Sequence, residues 1–130
     1  MRSFIIAVVA VAALACASAG DAQPTAVHKT TLLDAPFPAP PLHTVTVRTL
    51  VDAGGEVQPH THPGVEMAYI VSGEALVTMK GKAPQHLAAG GSFSAPPDTV
   101  HSVRNAGAGV LTILSTYVVD KTRPIASPAP

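Results

Sequence analysis

The sequence predicts an all-β domain, a sandwich or closed barrel of short antiparallel strands. Three observations carry that prediction. Runs in which apolar and polar residues alternate recur along the chain, and a period of two marks a half-buried strand. Glycine and proline turn signals separate the runs, with 10 Gly and 13 Pro in 130 residues. Beyond residues 1–19, no stretch of ordinary helix length repeats its apolar positions at helical spacing.

Residues 1–19, MRSFIIAVVAVAALACASA, combine an early Arg2, an apolar run over 4–16 and a small-residue end. That is the make-up of a cleavable secretory signal, with Ala17-Ser18-Ala19 before Gly20 as the cleavage pattern and cleavage after Ala22 as an alternative. A spanning helix needs ~20 apolar residues, more than this run supplies. Lipid attachment at Cys16 ranks lower, because Leu14 stands one position closer to the cysteine than the usual lipoprotein pattern has it. The chain is thus expected in the periplasm or outside the cell, with no membrane association after cleavage unless Cys16 is lipidated.

Without the signal the chain has about 110 residues, one domain with one barrel-sized core. Basic and acidic side chains balance at 8 each and nothing basic clusters, so nucleic acid and anionic membrane surfaces are poor partners. The single cysteine lies in the signal, which excludes both a disulfide and a thiol nucleophile from the exported part.

Residues 20–42 form a proline-rich arm: 25–33 reads as an edge strand and 36–41 as an extended connection. Residues 43–120 hold the strands of the barrel. The run 43–51, HTVTVRTLV, alternates cleanly. After the stretch 54–73 come strands over 74–80 and 85–89 around a hairpin at Gly81, then a short strand, a Pro96-Pro97-Asp98 turn and a strand from His101. The run 110–119, VLTILSTYVV, is the longest β-branched segment and reads as a central strand. Residues 121–130 are a tail too rich in proline to pack regularly.

The chemistry gathers in 54–73, GGEVQPHTHPGVEMAYIVSG. Alternate side chains of a strand share a face, so His60 and His62 point one way; Pro63-Gly64 breaks the ladder, and Glu66, Ala68 and Ile70 share a face of the next run. Two adjacent antiparallel strands would then aim His60, His62 and Glu66 at one point. His101, with Val103 and Asn105 on its face, is the candidate for a fourth group. Imidazoles with one carboxylate suit iron, manganese, nickel, copper or zinc, and suit calcium or magnesium poorly. Four ligands of an octahedral shell leave two positions open. His28, His43 and His86 lack spaced partners and read as surface histidines.

The spacing Gly54-x5-His60-x-His62-x3-Glu66-x6-Gly73 resembles the first motif of the cupin family at every anchor. Gly90-x5-Pro96-x-Asp98-x2-His101-x3-Asn105 resembles the second, with Asp98 where the family usually has glycine; Asp tolerates the left-handed turn better than most residues. The resemblance implies a jelly-roll barrel of the double-stranded β-helix kind. It also implies one divalent transition metal held by His60, His62, Glu66 and His101. Cupin N-terminal arms often pack on a second subunit, which would give Thr31, Leu32 and Leu33 a partner in a homodimer; a flexible leader is the equal alternative for that arm. Some cupins lack metal and act as binding or storage scaffolds. Burying three imidazoles and a carboxylate without a cation is costly, however.

For function, the resemblance implies a metal-dependent enzyme similar to quercetin-dioxygenase-like cupins, with Glu66 able also to take a substrate proton. The lining expected from alternation is apolar: Ala68, Ile70, Phe93, Val103, and Leu114 or its neighbours. Arg104 faces away from His101 by parity. A neutral or weakly polar small-molecule substrate is therefore expected. The lyases of the family that split dimethylsulfoniopropionate carry a Tyr where this chain has Ala68, which disfavours that reaction, although another isomerase or lyase activity remains an alternative. A non-catalytic metal- or ligand-binding cupin is the reading from a different class. A regulatory sensor fits poorly with an export signal and no DNA-binding segment.

Overall fold

The computed structural model describes residues 26–130, and the alternation becomes burial there. In the run starting at Leu111, the residues Leu111, Ile113, Ser115, Tyr117 and Val119 are buried and their neighbours are partly exposed. The expected all-β architecture is what the chain adopts. Its strands are β1 (Val27–Pro36), β2 (Leu42–Val51), β3 (Glu56–Thr61), β4 (Gly64–Ser72) and β5 (Glu74–Met79), followed by β6 (Gln85–Ala88), β7 (Ser92–Ala95), β8 (His101–Asn105), β9 (Leu111–Asp120) and β10 (Ser127–Pro128). There is no helix among the described residues. The signal expected over 1–19, with Cys16, lies outside them.

All pairings are antiparallel and give two five-stranded sheets, in the orders β1-β2-β9-β4-β7 and β10-β3-β8-β5-β6. The chain passes from one sheet to the other between β2 and β3, and again between β3 and β4. The strands that carry His60 and Glu66 therefore face each other across the interior instead of pairing, a correction to the adjacent pair expected from spacing. The Pro63-Gly64 break turns the chain through the third dimension, not around a hairpin.

Apolar faces of both sheets meet in a core that includes Val51, Ile70, Val77, Phe93, Leu111 and Ile113, while Val45, Val47, Tyr117 and Val119 form a second cluster. Buried Asn105 ties the end of β8 to its surroundings. Its amide donates to the carbonyls of Val51 (2.9 Å) and Gly109 (2.7 Å), and its oxygen accepts from the Gly107 N–H (2.9 Å). Every buried polar atom of that side chain is thus matched, as burial demands.

The tail is the second correction. Ser127 and Pro128 pair with Thr61 and His60 of β3, and the Ala129 N–H donates to the Pro59 carbonyl at 3.0 Å. Proline is tolerated there because β10 is an edge strand.

Gly64 shows how closely β4 and β9 approach where the chain enters the interior. A Cβ at that position would sit 2.0 Å from the Val118 carbonyl oxygen and 2.7 Å from the Val119 Cα. Backbone cannot yield as a flexible side chain does, so Gly64→Ala is expected to lower stability by roughly 3 kcal/mol. Gly109→Ala, where nothing lies within 4 Å, is expected to stay within about 0.5 kcal/mol of the parent. Urea unfolding of the two variants checks this, and equal midpoints would show that β4 and β9 can separate at Gly64.

Candidate metal centre

The four predicted residues do converge. His60, the penultimate residue of β3, stands next to its cross-strand partner His101, the first residue of β8. A register shift between Val57 and His60 accompanies the inward turn of the imidazole. His62 comes next, in the turn, where its carbonyl accepts the Asp98 N–H at 2.9 Å. Glu66 enters from β4 of the opposite sheet, facing Tyr117 of β9. All four are buried, with exposures of 8, 3, 4 and 2% for His60, His62, Glu66 and His101. Their candidate ligand atoms lie within 4.8 Å of one another, and no second cluster of this kind occurs among the described residues.

Each imidazole is oriented by a backbone carbonyl. The Nδ1–H of His60 donates to Gln58 (2.7 Å) and that of His101 to Thr99 (2.9 Å), in each case the carbonyl two residues earlier. The Nδ1–H of His62 donates to Ile125 in the tail. With Nδ1 protonated, a neutral imidazole presents its lone pair at Nε2, and the three Nε2 atoms face inward together with the carboxylate; a proton on Nε2 in place of a cation lets His101 donate to Glu66 instead. The His60 and His62 Nε2 atoms stand 3.1 Å apart, and Glu66 Oε2 lies 2.9 Å from His101 Nε2 and 3.3 Å from His62 Nε2. Lone pairs pressed together in a buried space repel, and a cation at their centre converts that repulsion into coordination. The donor set and its tautomers therefore fit a first-row transition metal.

The family model for the cupin domain matches residues 47–117. The chain belongs to the cupin family. A double-stranded β-helix protein from Klebsiella pneumoniae superposes on it with a TM-score of 0.67 at 23% identity, over 80% of this chain and 84% of that one. A cupin superfamily protein from Desulfitobacterium hafniense gives 0.62 at 18% identity, over 77 and 84%. DMSP lyase DddQ from Ruegeria pomeroyi gives 0.65 at 24% identity over 79% of this chain; the chain spans about half of that lyase, 51% of its length. At these identities the likenesses show the fold, the double-stranded β-helix that the motifs implied. No curated protein matches the sequence.

Electrostatics follow from burial and these bonds. Burial pushes His60 down to about 4, with the neighbouring imidazoles of His101 and His62 adding to it and the Gln58 carbonyl opposing. Burial acts against charge on Glu66, yet hydrogen bonds from His101, His62 and Ser115 overcome it and hold the carboxyl well below its usual range. His101 goes the other way: burial lowers it, but its bonds to Glu66 and Thr99 raise it. Burial and the Glu66 charge raise the Tyr117 phenol, which stays neutral and donates to Glu66 Oε1 at 3.1 Å.

A cavity of about 20 Å³ adjoins the cluster, lined by Phe93, Val103, Ile113, Ser115, Tyr117 and Lys29 among others. Ala68 and Ile70 face inward as parity predicted but are packed into the core and do not line this cavity, a correction to the expected lining; Arg104 points outward. Leu114 is on the outer side, so its neighbours Ile113 and Ser115 take the inner positions. Tyr117, which the sequence reading did not single out, shares their parity, and that alternation is the signal that could have found it. Lys29 was not: it depends on β1 pairing with β2, which sets Lys29 opposite the buried Thr49. Asp98 adopts the left-handed conformation at φ 53° that its place in the second motif requires. His28 and His86 are exposed and His43 pairs with Asp34 at 2.9 Å, so none joins the cluster.

Protons compete with a cation for the same lone pairs, so affinity must fall as pH falls. His101, raised above its ordinary value of 6.5, admits competition already around neutral pH, and His60 adds a further proton only near pH 4. The dissociation constant for Zn(II), measured against a chromophoric chelator at stepped pH, is expected to weaken through and below neutrality and to steepen below pH 4. A constant affinity from pH 7 to 4 would mean that imidazoles do not hold the ion.

Proposed function

We propose that this cupin is an exported metal-dependent enzyme of dioxygenase or other oxidoreductase type, acting on a small organic molecule. Export is inferred from the signal-like residues 1–19, and places the protein in the periplasm or outside the cell. The observation that carries the enzymatic reading is a protein ligand set that stops at four and adjoins a cavity. Four protein ligands would close a tetrahedral shell, but in the octahedral shell that iron, manganese or nickel prefers they leave two positions open beside the cavity, as catalysis requires.

His60, His62, Glu66 and His101 are assigned as ligands of one divalent ion, iron, manganese, nickel, copper or zinc. Such an ion supplies Lewis acidity, or a redox couple for all but zinc. The chain supplies the rest. Phe93, Val103 and Ile113 form an apolar wall that keeps bulk water out. Glu66 is the carboxylate at the cavity, and Tyr117 orients it through Oε1 while Oε2 lies among the imidazoles. We assign Glu66 the second task of accepting a substrate proton.

The small cavity also favours a second reading, a binding protein without turnover. Oxygen uptake by iron-, manganese- and nickel-loaded protein on a panel of phenols and small acids separates the two. Turnover is expected, with Glu66→Gln lowering kcat at least ~100-fold at matched metal content. Stoichiometric metal with no turnover on any compound would establish binding alone.

A second copy of the chain is the proposed protein partner. Leu32 and Leu33 on the edge strand β1 are 51 and 55% exposed, and Met67, Tyr69 and Val71 lie open on the outer face of β4. Sedimentation equilibrium is expected to give the mass of a dimer, and the Leu33→Asp variant that of a monomer. A parent protein that stays monomeric at every concentration would remove this partner.

A further inference from the structure

At the open side of the sandwich, β1 of one sheet faces β3 and β10 of the other, and two spaces meet there. One is the cavity of about 20 Å³ beside the ligand cluster. The other is an outer groove of about 280 Å³ lined by Val57, Gln58, Pro59, Ala126 and Pro128. Lys29, Val57 and His60 line both. A molecule passing from groove to ligands must therefore pass the Lys29 side chain.

The pairing of β1 with β2 explains why the lysine is there. Lys29 stands opposite Thr49, whose side chain is buried, so the two share the inner face of the sheet. Sheet edges commonly carry lysine pointing outward, where it blocks pairing with other chains. Here the inner face receives it, and its charge is felt at both His60 and His101. Among the described residues, Lys29 is the one charged residue that lines the groove.

We propose that Lys29 selects the substrate, its ammonium receiving the carboxylate of a small monocarboxylic acid whose apolar body lies in the outer groove. This rests on the enzymatic reading above and names the substrate class for that site, replacing the neutral substrate expected from a lining in which Lys29 had no place. The inner cavity holds about one water-sized group, so only a compact head such as a carboxylate oxygen enters it. The groove takes a body of on the order of ten non-hydrogen atoms. Val57, Pro59, Ala126 and Pro128 offer that body apolar surface. A phosphate dianion would call for a guanidinium fork or several cations, and the lining has one lysine and no arginine. A divalent ion with one carboxylate ligand and a lysine beside it leaves the mouth positive, which draws a monoanion from solution.

The test needs no turnover. Protein loaded with Co(II) is titrated with benzoate and with benzamide, its neutral counterpart of matching shape, and the visible absorption of the ion is followed. Benzoate is expected to saturate the spectral change and to bind more tightly than benzamide. Lys29→Met should weaken benzoate roughly tenfold, the size of one charge-assisted hydrogen bond. It should leave benzamide and Co(II) affinity unweakened, and Lys29→Arg should restore benzoate. Absence of benzoate binding, equal affinity for both probes, or a Lys29→Met variant that binds benzoate like the parent would each overturn the proposal. If benzoate binds through Lys29 and no acid is ever turned over, the enzymatic reading fails while anion selection stands. If neutral compounds are turned over at rates indifferent to Lys29→Met, the enzymatic reading stands and this proposal falls.

Discussion

Three buried imidazoles and a carboxylate that face one point form an arrangement the fold must actively hold. Left to themselves, aligned lone pairs in a space of low polarity separate or take up protons. What holds them is a set of three backbone carbonyls, from Gln58, Thr99 and Ile125, which fix the inner nitrogens by occupying the outer ones. Bonds to the far side of a ligand ring determine its orientation and basicity as much as the ligand itself does. The carboxylate has its own support in Tyr117, whose phenol is kept neutral by burial and by the charge it stabilises.

That support is possible because the two sheets contribute unequal parts. The sheet containing β3 and β8 supplies His60 and His101 side by side, and the facing sheet supplies Glu66 and Tyr117 side by side. His62 lies in the crossing between them. The glycine that starts β4 is consequently not a hinge but a point of close approach, with no volume for a methyl group against Val118 and Val119. An apolar core on one side and the Val45, Val47, Tyr117 and Val119 cluster on the other leave a polar centre without open access to water.

The convergence of His60, His62, Glu66 and His101 was legible because strand parity and motif spacing are local, and the positions of Ala68, Phe93, Val103 and Arg104 came from the same parity. The long run over 110–119 disclosed a strand, but its inner face stayed open until the pairing of Glu66 with Tyr117 resolved whether Leu114 or its neighbours pointed inward. Two features lay beyond local reading. Lys29 reaches the site only through the register of β1 on β2, a long-range pairing on which composition is silent. The tail reads as unable to pack because proline cannot donate to a ladder; at the edge of a sheet it needs only to accept, and Pro128 does not have to donate. Asp98 joins both regions, since its backbone holds His62 and its carboxylate pairs with Arg123 at 2.8 Å at the start of the tail.

The bond from His62 to Ile125 is made to a main-chain carbonyl. Any residue at position 125 presents the same acceptor, so relatives can diverge freely there while preserving ring orientation, and an alanine scan would pass over it without a signal. Only a change in the path of the backbone would disclose that a loop sixty-three residues downstream helps to hold that imidazole.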